Sequence, residues 1–70
     1  MKIRIEYCAP CGYDRRAAGL AAEIKAAKGF DAELVKSSGG VFEVWADERL
    51  VFSKKALGRF PNPGEVLAAL

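Results

Sequence analysis

Both cysteines of the chain lie in one six-residue stretch, YCAPCG, at Tyr7–Gly12. The residues before it, Lys2–Tyr7, alternate strictly between charged and apolar side chains, which predicts a half-buried strand. The residues after it, Asp14–Lys28, carry small apolar side chains at helical spacing, and Gly29 is a typical helix C-cap. We therefore expect a cysteine pair where a first strand passes into a first helix, which begins at Asp14 or inside the motif itself.

Three further strands are predicted from runs of β-branched and aromatic residues. They span Ala32–Lys36, Val41–Ala46 and Arg49–Ser53, and Ser37–Gly40 forms a turn before the second of them. Trp45 falls on the strand face opposite Phe42 and Val44, where it either packs under a helix or is exposed as an interaction point. The strand residues expected in the core are Phe42, Val44, Leu50 and Phe52.

A second helix is predicted at the end of the chain. Asn62, Pro63 and Glu65 are residue types favoured at the N-cap and at the first and third helical positions. The preceding segment, Lys54–Pro61, is interpreted as a basic, glycine-containing loop. The apolar residues that this helix is expected to bury are Val66, Leu67 and Leu70.

The predicted element order is β-α-β-β-β-α, an α/β (α+β) arrangement. A strand-helix-strand crossover is right-handed and makes the first two strands parallel, while the later hairpin adds antiparallel strands. We expect a mixed four-stranded sheet with two helices, organised as a minimal thioredoxin-like domain. Because 70 residues leave room for one core, residues 1–70 are expected to form a single domain.

Composition restricts the partners and the compartment. The net charge of +2 is small, and Lys and Arg are not clustered with aromatic residues as a nucleic-acid-binding face requires. No segment approaches the roughly 20 apolar residues of a membrane span, and the Met1–Arg4 start lacks the apolar run of a signal peptide. We therefore expect a cytoplasmic protein with neither nucleic acid nor a membrane as partner. Thiols stay reduced there, so a cytoplasmic CxxC is catalytic or metal-binding more often than structural.

The predicted position of the cysteines favours redox chemistry. A helix N-terminus carries unpaired N–H groups and partial positive charge, which lowers the pKa of a partly exposed cysteine into the reactive range. Cys8 is then able to attack a disulfide, and Cys11 to resolve the mixed intermediate. Pro10 stiffens the loop because it donates no backbone hydrogen bond. Cys8 and Cys11 are the candidate catalytic residues, and no cofactor is expected.

Other interpretations of the same residues stay open. Small copper-carrying domains also place CxxC between a strand and a helix, so both thiolates are candidate ligands of a soft metal. Zinc requires four ligands and the chain contains no histidine, so one motif supplies half of a site that two chains would share. A third hypothesis is a protein-interaction module in which Trp45 or an exposed strand recruits a partner and the cysteines act as a redox switch. A fourth is a pair of structural cysteines at this spacing by chance.

Three segments together resemble the selenoprotein W-related family of redox proteins, the Rdx family. YCAPCGY at Tyr7–Tyr13 is similar to the family's CxxC or CxxU followed by Gly-Tyr at a strand end. GGVFEV at Gly39–Val44 is similar to its G-x-FEV strand, and LVFSKKALGRFP at Leu50–Pro61 is similar to its hydrophobic-SKK-x-x-GRFP segment. The matches occur in the same order as in the family and extend over nearly the whole chain.

This resemblance implies a thioredoxin-like fold and a thiol-based oxidoreductase or antioxidant role, with glutathione or thioredoxin as candidate electron donors. In selenium-containing relatives the selenocysteine occupies the second position of the motif, which is Cys11 here. Thioredoxin chemistry instead makes the first cysteine, Cys8, the attacking group. Because the two implications disagree, the order of attack stays open at this point.

Two further features near the motif have two interpretations each. Thioredoxins place a cis-proline opposite the cysteine pair, whereas this chain has Gly39 and Gly40 there. These glycines either let a partner's backbone approach or form a turn that needs positive φ. Lys54, Lys55 and Arg59 form a basic group that either attracts an acidic partner, such as the carboxylates of glutathione, or is a solvated loop.

Overall fold

The computed structural model describes residues 1–70. The elements in chain order are β1 (Ile3–Cys8), α1 (Asp14–Lys28), β2 (Ala32–Ser37), β3 (Phe42–Ala46), β4 (Arg49–Ser53), α2 (Lys54–Leu57) and α3 (Glu65–Ala69). The four predicted strands are present within a residue of their expected ends, and the two predicted helices correspond to α1 and α3.

The strands form one mixed sheet in the order β2-β1-β3-β4. β1 and β2 run parallel, with Ile3 opposite Ala32, because α1 carries the chain back across the sheet. β3 is antiparallel to both β1 and β4, so the predicted mixed four-stranded sheet is confirmed. In this order the last residue of β1, Cys8, lies at the end of an interior strand.

Helices α1 and α3 cover the same face of the sheet and share one core with it. The alternation of β1 follows from this arrangement, because its apolar residues face the helices and Arg4 and Glu6 lie on the other face. Burying one large apolar side chain stabilises the fold by roughly 1.5–3 kcal/mol. The ten buried residues of the core are Ile3, Ile5, Tyr7, Ala17, Ile24, Phe42, Val44, Ala46, Phe52 and Val66.

The segment predicted as a basic loop contains the one-turn helix α2. The Ser53 hydroxyl caps this helix by accepting a hydrogen bond from the Ala56 backbone N–H at 3.2 Å. Gly58 ends it in the left-handed region, with φ of 71°. A serine N-cap and a glycine C-cap therefore enclose a single helical turn, which is too short to show a hydrophobic period in the sequence.

Helix α3 begins two residues later than expected. Gly64 has φ of 79°, which lies outside the helical region, so Pro63 and Gly64 form a turn and Glu65 is the first helical residue. Val66 is buried as predicted. Leu67 and Leu70 are half-buried against the core.

The prediction that Leu50 lies in the core is wrong. Its side chain is 43% exposed, because the β3–β4 register shifts between Val44 and Trp45 and places Leu50 opposite Trp45. Trp45 lies on the face opposite Val44, as predicted, with the Arg4 guanidinium 5.2 Å from its ring centroid. The Trp45 indole N–H is buried and has no hydrogen-bond acceptor.

Candidate functional site

The cysteine pair occupies the connection between β1 and α1. Cys8 is the last residue of β1, and Cys11 lies in the turn that follows it. A disulfide joins the two, with their Cα atoms 5.3 Å apart, inside the usual range for this bond. The structure thus brings together the two residues that the sequence singled out.

The two cysteines differ in exposure. Cys8 is 1% exposed, whereas Cys11 is exposed. The end of β1 is held on both sides, because the Cys8 N–H donates to the Val41 carbonyl at 2.9 Å and the Ala9 N–H donates to the Ser37 carbonyl at 3.0 Å. The expectation that Cys8 is partly exposed at a helix N-terminus is therefore wrong, since α1 does not begin inside the motif and Cys8 remains in the sheet.

The turn between the cysteines and α1 is stabilised by its own backbone. The Tyr13 N–H donates to the Cys8 carbonyl at 3.3 Å, and the Gly12 N–H donates to the Ala9 carbonyl at 3.1 Å. Gly12 has φ of 78°, a left-handed conformation that favours glycine. Pro10 is exposed in this turn, next to Cys11.

The N-terminus of α1 follows directly. Tyr13 is the N-cap residue and its side chain makes no capping bond. The backbone N–H groups of Asp14, Arg15 and Arg16 have no hydrogen-bond partner within the chain. The 15-residue helix therefore presents free N–H groups and the positive end of its dipole at the motif.

Gly39 and Gly40 form the turn between β2 and β3, beside the end of β1. Their φ values are 72° and 74°, so both adopt the left-handed conformation that one of the two sequence interpretations required. A Cβ at either position meets no atom within 4 Å. Backbone conformation, rather than crowding, accounts for the two glycines.

Phe60 is a residue of the site region that the sequence analysis missed. Its ring contacts Tyr13 edge-on at a centroid distance of 4.9 Å and Phe42 at 5.5 Å. The Arg16 guanidinium lies 4.0 Å from the ring centroid, and the Lys54 ammonium lies 5.4 Å from it. The GRFP segment was the available signal, but only tertiary packing shows that it returns to the N-terminus of α1.

The predicted basic group does not act as one unit. Lys54 joins the Tyr13–Phe60 cluster, 5.5 Å from the Tyr13 ring centroid, and Lys55 is exposed. Arg59 instead donates to both carboxylate oxygens of Glu65, at 2.7 and 2.9 Å.

Glu65 is held in its ionised form by these contacts. The Arg59 hydrogen bonds lower the pKa of Glu65 to about 2, and the Asn62 backbone N–H, which donates to Glu65 Oε1 at 2.9 Å, adds to this effect. This donation from the Asn62 N–H to the side chain three residues later resembles the back-donation of a capping box, although the N-cap residue of α3 is Gly64. It fastens the segment that follows Phe60 to the start of α3.

Metal ligands are sparse around the cysteines. No group of three or more His, Cys, Asp or Glu side chains lies close enough to hold one metal ion.

No helix of the structure has the length and apolar character needed to cross a membrane.

Comparison with known proteins shows which proteins this chain resembles. The profile of the Rdx family matches residues 2–70. Migration and invasion enhancer 1 of Bos taurus is 34% identical over 71 residues, covering 100% of this chain and 62% of that protein. The Mus musculus protein of the same name is 35% identical over 69 residues, covering 97% and 60%. The chain therefore spans about three fifths of the length of these relatives.

Two solved structures share the fold. A Bordetella parapertussis protein superposes with a TM-score of 0.92 at 28% sequence identity, covering 97% of this chain and 90% of the other. The selenoprotein W-related protein from Vibrio cholerae gives 0.90 at 25% identity, with 97% and 89% covered. The predicted thioredoxin-like fold is confirmed in its selenoprotein W-like form. With the profile matching from residue 2 to residue 70, the chain belongs to the Rdx family.

Proposed function

We propose that the protein is a thiol–disulfide redox protein that cycles Cys8 and Cys11 between a dithiol and a disulfide. The observation that carries this proposal is a disulfide between a buried cysteine, Cys8, and an exposed one, Cys11, at a strand-to-helix connection. Such a pair has a single sulfur that a partner is able to reach. Membership of a family with a thiol or selenol in this motif supports the same chemistry.

Cys11 is the attacking residue in this proposal, and Cys8 is the resolving residue. A substrate disulfide does not reach the sulfur of Cys8, which is 1% exposed. The free N–H groups at the start of α1 favour the thiolate of the nearby Cys11. This order agrees with the position that selenium occupies in the selenocysteine-containing relatives, and it differs from the order in thioredoxins.

The reaction transfers two electrons in two exchanges. The Cys11 thiolate attacks one sulfur of a substrate disulfide, forming a mixed disulfide and releasing the other half of the substrate as a thiolate. The Cys8 thiolate then attacks the Cys11 sulfur, which releases the remaining substrate thiolate and forms the Cys8–Cys11 bond. The substrate is reduced to two thiols and the protein is oxidised to the disulfide. A reductant thiolate that attacks Cys11 reverses these steps.

The proposed setting is the cytoplasm, where glutathione or thioredoxin supplies electrons. These two thiols are abundant reductants of that compartment, and each needs one exposed sulfur to attack. Pro10, in the same turn as Cys11, and Gly39 and Gly40, in the turn beside the end of β1, are the proposed supporting residues. Neither nucleic acid nor a membrane is needed as a partner for this chemistry.

The proposal is tested by turnover with a small disulfide. Hydroxyethyl disulfide is supplied with NADPH and either glutathione and glutathione reductase or thioredoxin and thioredoxin reductase, and NADPH consumption is followed. We expect the wild-type protein to accelerate reduction and the double Cys8→Ala, Cys11→Ser variant to give only the background rate. Equal rates with the wild type and the double variant would overturn the redox assignment, and titration of the reduced protein with Cu(I) or Zn²⁺ would then test the two thiols as metal ligands.

A further inference from the structure

A groove of about 410 Å³ lies between α1 and the segment that leads into α3. One wall is a stripe of α1 that includes Arg16, Gly19 and Glu23, and the other is the segment that begins at Phe60. Arg16 is five residues after Cys11, and Phe60 contacts Tyr13, the residue that caps α1. The end of the groove that Arg16 forms is therefore the end nearest the exposed sulfur.

The groove carries opposite charges at its two ends, and neither charge is neutralised. Arg16 makes no salt bridge or hydrogen bond within the chain, and neither does Glu23. The Phe60 ring holds the Arg16 guanidinium by one face at 4.0 Å, which leaves its N–H edges free for a carboxylate. The two residues are seven positions apart, or about 10 Å along the helix.

Gly19 widens the groove between these charges. It lies in the middle of α1, where glycine disfavours the helix more than any other residue except proline. A Cβ at Gly19 meets no atom within 4 Å, and the residue has no positive φ. Neither packing nor backbone geometry requires glycine at this position, and its effect is to leave open space in the wall.

The opposite wall is rigid. Pro61 and Pro63 restrict its backbone, and Glu65 fastens it through Arg59 and the Asn62 N–H. The Asn62 side chain makes no hydrogen bond within the chain and lines the groove. A preformed cleft with an apolar floor and a few free polar groups is the usual form of a binding site.

We propose that this groove binds an extended segment of a protein substrate, next to the substrate cysteine that Cys11 attacks. The segment carries an acidic side chain opposite Arg16, an apolar side chain over the middle of the groove and a basic side chain opposite Glu23. The proposal rests on the redox function proposed above and names its substrate class. An extended chain advances about 3.3 Å per residue, so the acidic and basic residues are three positions apart.

The test compares two peptides of identical composition, both blocked at their ends. One is Cys-Glu-Leu-Ala-Lys and the other is Cys-Lys-Leu-Ala-Glu, each as a mixed disulfide with 2-thiopyridine. Cys11 of the reduced protein attacks the peptide sulfur and expels 2-thiopyridone, which is followed by absorbance. Cys8 then attacks the Cys11 sulfur and releases the peptide thiol, so the protein ends as the disulfide. Hydroxyethyl disulfide is reduced in parallel as a neutral substrate without a peptide.

We expect the first peptide to react about fivefold faster than the second at low ionic strength. The first peptide forms two exposed ion pairs with the groove, whereas the second places like charges opposite each other. The double variant Arg16→Glu, Glu23→Arg should invert this ratio. Arg15→Glu is the matched control, because Arg15 is exposed on the same turn and does not line the groove. Its ratio should stay that of the wild type.

A second variant tests the space at Gly19. Gly19→Leu should slow both peptides relative to hydroxyethyl disulfide, while the thermal midpoint stays equal or rises because leucine favours the helix. Slower peptide reaction together with a lower midpoint would point to misfolding and would count against this use of the groove.

The results separate the groove from the redox function. Equal rates for the two peptides, with hydroxyethyl disulfide still reduced, would overturn the proposed groove and leave the redox function standing. The two-residue disulfides Cys-Glu and Cys-Lys give the corresponding rate ratio without the rest of the segment. If their ratio equals that of the longer peptides, the extended segment is overturned in favour of a small acidic thiol. If no disulfide is reduced, the redox function fails and the groove proposal fails with it.

Discussion

Cys8 and Cys11 share one disulfide but differ in surroundings: Cys8 is enclosed at the end of an interior strand, and Cys11 is open to solvent in the next turn. The difference arises because β1 continues through Cys8. The Cys8 N–H donates to the carbonyl of Val41, which lies in the connection between β2 and β3. In the proposed redox cycle, a partner therefore forms its covalent intermediate with Cys11 and not with Cys8. This asymmetry leads to the first prediction.

A mixed disulfide should be trapped on Cys11 when its partner is removed. In Cys8→Ala the exposed thiol attacks a disulfide and nothing resolves the product, so a stable adduct accumulates. Alanine is chosen because a serine hydroxyl at this buried position would lose its hydrogen bonds to water. Cys11→Ser should give little adduct, since the remaining thiol is enclosed. Intact-protein mass spectrometry measures both, and faster adduct formation on Cys8 in Cys11→Ser would contradict the assignment.

The reduced protein should stay folded. The ten core residues do not include either cysteine, and the disulfide spans a sequence separation of only 3. In the chain-entropy description, so short a loop contributes roughly 2 kcal/mol to stability. Urea unfolding with and without a reductant measures this change. Loss of the cooperative transition on reduction would contradict the proposed dithiol–disulfide cycle, because the dithiol form would be unfolded.

Helix α1 positions the motif through its buried side chains. Ile24 is fully buried in the core, so Ile24→Ala should lower the free energy of unfolding by roughly 2–5 kcal/mol, and Ile24→Val by roughly 0.5–1.5 kcal/mol. Chemical denaturation of the two variants provides the comparison. Equal, small losses would show that the helix does not depend on this contact.

The Arg59–Glu65 contact should give a stability difference that depends on pH. Folding lowers the pKa of Glu65 from 4.5 to about 2, mainly through the hydrogen bonds from Arg59. A lowered carboxyl pKa stabilises the fold above the ordinary pKa, and this contribution is lost as the pH falls towards 2. The wild type should therefore be more stable than Glu65→Gln at pH 7, and the difference should shrink below about pH 4.5.

Denaturant unfolding between pH 7 and pH 2.5 measures this difference directly. Glu48→Gln is the matched control, because the exposed Glu48 side chain makes no salt bridge or side-chain hydrogen bond. Its stability difference from the wild type should not change with pH in the same way. A Glu65→Gln difference that stays constant over the whole range would contradict the proposed contact.

Local patterns were sufficient to predict most of the fold. Strict alternation identified β1, and alanine-rich periodicity with Gly29 identified α1. The strand-helix-strand crossover predicted the parallel β1–β2 pair. Leu50 was misplaced because alternation assumes a regular register, and an irregularity between Val44 and Trp45 breaks it. One irregular pairing is enough to move a side chain to the other face of a sheet.

The site was predictable in its residues but not in its geometry. The spacing of Cys8 and Cys11 indicated a bond between them. The burial of Cys8, however, depends on strands that are distant in sequence but lie on both sides of the end of β1. The position of Phe60 against Tyr13 likewise joins segments 47 residues apart, which no local period encodes.

The most direct test of the redox account is a titration of the protein in glutathione redox buffers, with each cysteine followed by alkylation and mass spectrometry. We predict one reversible transition in which Cys8 and Cys11 lose alkylation together as their disulfide forms, with Cys11 labelled before Cys8 in the folded dithiol protein. Two thiols that resist both oxidant and alkylating reagent across all buffers would contradict it.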